Sequence, residues 1–227
     1  MRPLPLMLFA AGFGTRMGAL TANRPKPLIG VAGKPLIDHA LAVADTAGIT
    51  KIVINLHYLG SQIADHLQNR DVLLSWERDL ILETGGGLKA ALPLLGDGPV
   101  LTLNTDAVWS GQNPLTQLLN AWDPAKMDVL LLLLPAEAAV GHSGNGDFQL
   151  DLQGHISRAN GVSAPIYLGA QILKTQALSA ISEPVFSLNR LWDIAIANKR
   201  AYGLIHQGGW CDVGRPEGIA LAESLHV

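Results

Sequence analysis

Leu4-Pro5-Leu6-Met7-Leu8-Phe9-Ala10-Ala11-Gly12-Phe13-Gly14-Thr15-Arg16-Met17 stands near the start of the chain, and Arg24-Pro25-Lys26-Pro27-Leu28 follows closely. The run Leu4 to Ala10 is continuously apolar, as a central strand of a parallel sheet must be. The loop after it is built from small residues, which let a backbone approach a ligand closely. Successive N–H groups in such a loop can face phosphate oxygens. Arg16, Arg24 and Lys26 add positive charge. Prolines on both sides of Lys26 restrict the backbone there and can aim its ammonium. The stretch therefore reads as a site for a polyanion, a nucleoside triphosphate above all, at the carboxyl end of the first strand. Gly12 and Gly14 alone fit a tight strand-to-helix turn equally well. They lack the third glycine of the dinucleotide fingerprint, and no glycine-lysine-serine/threonine end follows.

Outward from this loop, strands and helices alternate. Pro35 starts a helical pattern that Gly48 stops. Lys51 to Leu56 reads as a strand, Ser61 to Leu67 as a helix and Val72 to Trp76 as a strand. Glu83-Thr84-Gly85-Gly86-Gly87 opens a helix through Leu95, and Pro99 to Asn104 is a strand ending in Asn104-Thr105-Asp106. Such alternation with short connections predicts an α/β fold with a doubly wound, mostly parallel sheet. Ligands bind beyond the carboxyl ends of its strands. Ala11-Gly12, Glu83-Thr84 and Asp106 all follow predicted strands and should share one edge. Asn113 to Trp122 is helical and Asp128 to Leu134 a buried strand. The section after it has a more antiparallel character. Asp147 to Asp151 and His155 to Arg158 suggest a hairpin, and Tyr167 to Leu173 a further strand. This section is expected to cover one side of the cleft. Ser187 to Asn198 reads as a helix, Arg200 to His206 as a strand, Gly208 to Gly214 as a turn and Pro216 to Leu225 as a closing helix. No repeat or linker marks a second domain, so one domain over 1–227 is expected.

The chain of 227 residues has a net charge of −3 and is 48% hydrophobic. That composition is globular and offers no broad basic field for nucleic acid. The lone Cys211 rules out an intrachain disulfide framework and suits a reducing cytoplasm. The longest apolar run, Val129 to Leu134, is far too short to span a bilayer.

Asp106 and Asp212 are candidate metal ligands. Mg²⁺ prefers hard oxygen donors and takes one or two carboxylates plus phosphates and waters. Helix capping for Asp106 and an ordinary turn for Asp212 are the plain alternatives. Three glycines weaken the Glu83 helix by about 1 kcal/mol each relative to alanine, and close approach of a base or ribose would account for them. The histidines lack the spacing of a zinc site. Cys211 has no identifiable base and is not a nucleophile candidate. Trp109 and Trp210 suit a sugar pocket or plain packing. Asn160 and Gly169 are sugar-site candidates from their place in the covering section.

Ala10-Ala11-Gly12-x-Gly14-Thr15-Arg16-Met17, then Leu20-Thr21, then Pro25-Lys26-Pro27-Leu28, resembles the signature of sugar-1-phosphate nucleotidylyltransferases. The resemblance continues through Glu83 to Gly87, Asp106 and Trp210-Cys211-Asp212-Val213-Gly214. Within that family, Gly141-His142-x-x-x-Gly146-Asp147-Phe148 is similar to the short bacterial N-acetylmuramate 1-phosphate uridylyltransferases. Gly18-Ala19 departs from the family's arginine/lysine-proline, and Asn104-Thr105-Asp106 from its asparagine/glycine-aspartate. The resemblance implies a Rossmann-like sheet of the nucleotide-diphospho-sugar transferase type with a small antiparallel sugar-side section. It implies a cytoplasmic enzyme acting on a nucleoside triphosphate and a sugar 1-phosphate, with Mg²⁺, or Mn²⁺ in its place, on Asp106 and Asp212. Arg16, Lys26, Asp106 and Asp212 would be catalytic. Nucleotide contacts would fall at Ala11, Gly12, Gly14, Thr15, Arg16, Met17, Lys26, Glu83, Thr84 and Gly85. Mannose 1-phosphate with GTP and phosphocholine with CTP are the rival substrate pairs. A nucleotide-binding regulator without catalysis would be expected to have lost some of the four catalytic candidates, and all are present.

Overall fold

The computed structural model describes residues 4–225. Among the described residues, thirteen strands and six α-helices follow in chain order. β1 (Leu6–Phe9) runs into the glycine loop, and β2 (Gly30–Val31) and β3 (Lys34–Pro35) form a small ribbon before α1 (Leu36–Thr46). Then come β4 (Ile52–Leu56), α2 (Gly60–His66), β5 (Leu73–Trp76), α3 (Glu83–Leu95), β6 (Pro99–Asn104), β7 (Ala107–Gly111) and α4 (Pro114–Ala121). The second half holds β8 (Val129–Leu134), β9 (Phe148–Leu150), β10 (Ile156–Arg158), β11 (Ile166–Lys174), α5 (Asn189–Ala197), β12 (Ala201–Ile205), β13 (Gly208–Asp212) and α6 (Glu217–Ser224).

The main sheet has seven strands in the order β12-β8-β11-β6-β1-β4-β5. All its pairings are parallel except the two made by β11. β1 is central, and its side chains alternate between two cores. Leu6 and Leu8 join the cluster with Ile37, Leu41 and Leu118, while Met7 joins the one with Leu88, Phe148 and Trp192. Helices thus cover both faces, which explains why the parallel strands are apolar throughout. Phe9 stands opposite Asn55 of β4 and Asn104 of β6. The carboxyl ends of three neighbouring strands are therefore level, and everything that follows them is delivered to one edge.

Two expectations are corrected. β11 is not part of a cover; it lies inside the main sheet between β6 and β8. Its almost wholly buried side chains require a central place. Of the strands expected in that section, only the β9–β10 hairpin stands apart from the main sheet. Residues 208–212, expected as a turn, form β13, paired antiparallel with β7. The glycines there serve close strand approach: a Cβ on Gly208 would lie 2.4 Å from the Ser110 carbonyl oxygen, and one on Gly209 2.4 Å from Ser110 Oγ.

Candidate active site

A cleft of about 300 Å³ opens at the carboxyl edge of β1, β4 and β6, lined by parts of the glycine loop, Lys26, Asn55, Glu83-Thr84 and Asn104-Thr105-Asp106. The segments that sequence reasoning placed on one edge do meet. In the glycine loop, Gly14 takes φ 66°, and a Cβ there would sit 2.9 Å from Lys26 Cβ. Glycine is required at this position so that the two basic segments can pack. Ala11, Gly12, Gly14, Thr15 and Arg16 line the cleft. Met17 does not: its side chain is buried beside Ile29, Val31 and Cys211, and its amide donates to the Gly14 carbonyl at 2.9 Å. Phe13 packs against His57 and Tyr58, and the Tyr58 hydroxyl donates to the Thr21 carbonyl, bracing the loop from outside.

Lys26 is only 8% exposed, and its ammonium lies 2.8 Å from Asp106 Oδ2. The β7–β13 ribbon brings the second aspartate alongside, because its register sets Asp212 opposite Ala107 and the Val213 amide donates to the Asp106 carbonyl. Burial, and then the charge of Asp106, raise the Asp212 carboxyl above its ordinary range; Lys26, Arg16 and His142 pull it the other way. At Asp212 the burial and the like charge outweigh the cations around it. That donor set suits a hard cation with open positions for phosphate oxygens. Among the described residues no group of three or more His, Cys, Asp or Glu could hold a metal, so the two aspartates are not part of an all-protein cage.

The wall formed by Glu83 and Thr84 is more constrained than the sequence suggests. Glu83 takes φ 58° at the head of α3, a left-handed conformation that costs a non-glycine residue about 1–3 kcal/mol. Its neighbours hold it there. The amides of Gly85 and Gly86 both donate to the Phe186 carbonyl, and the Thr84 hydroxyl accepts from the Leu188 amide. A Cβ on Gly85 would meet the Phe186 ring at 2.4 Å, and one on Gly86 the Pro184 carbonyl oxygen at 2.1 Å. These glycines make room for the strap 184–188, and Gly85 is absent from the residues lining the cleft.

Trp109 and Trp210 are buried, meet edge to face and are absent from the residues lining the cleft. Asn160 is exposed in a turn with φ 50° and lies outside the cleft lining. Gly169, with φ 79°, leaves space for Asn104, whose Nδ2 would be 2.7 Å from a Cβ there. It therefore bears on the cleft through Asn104. Asn55, which lines the cleft, and the buried Glu77 were not singled out from sequence. A polar residue inside the apolar strand Ile52–Leu56 was the available signal.

Residues 6–187 match the MobA-like NTP transferase domain family. The chain belongs to that family and is a nucleotidyltransferase by membership. It is 37% identical, over 98% of its length and 96% of the relative's, to an N-acetylmuramate alpha-1-phosphate uridylyltransferase of Caulobacter vibrioides. It is 34% identical, over 96% of each chain, to the protein of the same name from Neisseria meningitidis serogroup B. Among solved structures, a putative glucose-1-phosphate thymidylyltransferase from Bacillus anthracis, in complex with a sucrose, superposes with a TM-score of 0.80 at 16% identity over 98% of this chain and 94% of that one. That likeness supports the fold.

Proposed function

We propose that this chain transfers a uridylyl group from UTP to N-acetylmuramate 1-phosphate, giving a UDP-sugar and pyrophosphate. The observation that carries the chemistry is the Lys26–Asp106 pair in the lining of the cleft that the phosphate loop borders, with Asp212 set beside it by the β7–β13 pairing. The near full-length similarity to the Caulobacter relative supports the choice of substrates.

In this reading an oxygen of the sugar phosphate attacks the α-phosphorus of UTP. The bond from that phosphorus to the β-bridging oxygen breaks, and pyrophosphate leaves with the electron pair. The nucleophile is already an anion, so no general base is required, and catalysis is positioning plus charge stabilisation. Amides of the loop from Ala11 to Thr15 face the phosphates. Arg16 holds the departing pyrophosphate, and Lys26 faces the α-phosphate. Glu83 and Thr84 flank the nucleoside, with Gly85 acting through the strap. Asn160 and Gly169 are assigned to the sugar side. Mg²⁺, with Mn²⁺ as substitute, supplies further neutralisation of phosphate charge when held by Asp106 and Asp212. One domain over 1–227, a cytoplasmic location and a role in re-using cell-wall sugar accompany this reading; no helix of the described residues is long and apolar enough to cross a membrane.

The test is pyrophosphate release across the four nucleoside triphosphates, each paired with N-acetylmuramate 1-phosphate, mannose 1-phosphate and phosphocholine. The highest kcat/KM is expected for UTP with N-acetylmuramate 1-phosphate. A protein that binds nucleotide yet releases pyrophosphate with none of these pairs would be a regulator instead.

A further inference from the structure

Asn55 and Glu77 are 3% and 4% exposed; Asn55 lines the cleft and Glu77 stands behind it. Their side chains join two backbone segments that border it. The Ala10 amide, where β1 enters the phosphate loop, donates to Asn55 Oδ1 at 2.8 Å. Asn55 Nδ2 donates to Glu77 Oε1 at 2.7 Å. Glu77 Oε2 accepts from the Leu82 amide, directly before Glu83, at 2.7 Å. Gly87 leaves room for this contact, since a Cβ there would lie 2.7 Å from Glu77 Oε1 and 3.0 Å from Asn55 Nδ2. No cation pairs with Glu77 among the described ion pairs.

The arrangement obeys a parity rule. Both ends of the chain are backbone donors, so the two side chains between them must present acceptors outward. Only one proton donor is then needed between them. One carboxylate and one amide satisfy this; two amides, or two ionised carboxylates, do not. Two amides leave a buried donor facing a donor. Two ionised carboxylates repel until one takes up a proton, so the Asp variant is measured well above the carboxylate range. We infer that Asn55 and Glu77 are positioning residues that fix the phosphate loop relative to the Glu83-Thr84 wall, and so set nucleotide affinity. The inference rests on the nucleotide reading of the cleft. It needs no contact between either residue and the acceptor sugar.

The rule makes a distinguishing test possible. Asn55→Asp and Glu77→Gln each break parity. Together they restore it with the roles exchanged: the new amide donates to the new carboxylate, and both backbone amides keep an acceptor. Each single variant and the double variant are titrated calorimetrically with UTP, GTP, CTP and ATP in Mg²⁺ and compared with the wild type. Melting temperatures and the KM for N-acetylmuramate 1-phosphate are measured alongside. Each single variant should bind the preferred triphosphate about tenfold more weakly. The double variant should return to within about threefold of the wild type, with the acceptor KM little changed throughout. A purely structural role would lower the melting temperature and the bound fraction without moving the Kd of the folded molecules. Single variants with wild-type Kd, or a double variant as weak as its parents combined, overturn the inference. If a single variant does not fold, a folded double variant with wild-type Kd still upholds it, and a double variant that does not fold overturns it. A wild-type protein that binds none of the four triphosphates sinks the nucleotide reading itself, and this inference with it.

Discussion

Lys26 Nζ and Asp106 Oδ2 are 2.8 Å apart although 80 residues separate them in the chain. The ammonium occupies the carboxylate proposed above as a ligand for a divalent cation. In that reading the two cations compete for Asp106 before substrate arrives. Lys26→Met should tighten Mg²⁺ binding to the free protein, because it removes that competitor. The same change should slow turnover by about 10²-fold, the usual cost of deleting one electrostatic stabiliser of the transition state. Calorimetric Mg²⁺ titration and pyrophosphate release measure the opposed effects; weaker Mg²⁺ binding would contradict the competition. Asp106→Asn should lower turnover by about 10²–10³-fold. The pair is partly exposed, so its stability loss should stay below the about 3–5 kcal/mol seen when a fully buried pair is broken.

Asp212 links metal binding to pH. Burial, and then the charge of Asp106, raise its carboxyl in the folded protein. The folded state therefore holds this proton more firmly than the unfolded chain does. The resulting stabilisation is fully present below the carboxyl's ordinary range and is lost as pH rises through its raised folded value. Above that raised value, without metal, the ionised Asp212 is a destabilising residue. Asp212→Asn should raise the metal-free melting temperature there while abolishing turnover. Mg²⁺ at about 100 times its Kd should stabilise the wild type by about 2.7 kcal/mol and the Asn variant far less. Mg²⁺ affinity should also weaken as pH falls, since the proton competes for the same oxygens. A metal-free Asn variant that melts no higher than the wild type would refute the argument.

The loop and strand ends were legible because their signals are local. An apolar run, small residues and flanking prolines lie within 25 positions of each other, and Phe9, Asn55 and Asn104 end in register. What stayed hidden depends on partners distant in sequence. Gly208 and Gly209 looked like a turn because nothing nearby announces Ser110, the residue that needs their space. Gly85 and Gly86 looked like room for a base, whereas their neighbours are Phe186 and Pro184, about a hundred residues on. Met17 sits inside a motif that reads as ligand contact, yet the short helical turn from Thr15 rotates it into the core. Tyr167 to Leu173 looked peripheral because an antiparallel strand in a parallel sheet has no signature of its own; only its burial on both faces marks it as central.

Gly86 offers a test of the strap. Alanine is the better helix former by about 1 kcal/mol, so Gly86→Ala in an open helix would stabilise. Here the added methyl would lie 2.1 Å from the Pro184 carbonyl oxygen and 3.1 Å from Leu82 Cβ. A backbone carbonyl cannot rotate aside as a side chain can. Overpacking of this kind costs about 1–3 kcal/mol, so the net effect should be destabilising. Displacement of the strap should also free the Gly85 and Gly86 amides from the Phe186 carbonyl and raise the KM for triphosphate. Urea denaturation and steady-state kinetics measure the two effects, and a more stable Gly86→Ala protein would show that the strap yields freely.

Cys211 sits one residue from Asp212, which invites the idea that its thiol takes part in the reaction. The structure argues otherwise. The side chain is fully buried, with Sγ near the Asp212 and Gly218 carbonyl oxygens at 3.7 and 3.8 Å. Burial, and then the negative charge of Asp212, push the thiol up to about 11. Only the thiolate is nucleophilic, so at neutral pH the reactive form is almost absent and also inaccessible. Cys211→Ala should keep the wild-type pH–rate profile and lose at most about threefold in turnover, an effect of packing beside Asp212 rather than of chemistry. Native protein at pH 8 should resist iodoacetamide and label rapidly once unfolded in guanidinium, as intact-mass measurement would show. Rapid labelling of the folded protein, slowed by Mg²⁺ and nucleotide, would instead place the thiol at the surface of the site and make it a catalytic candidate.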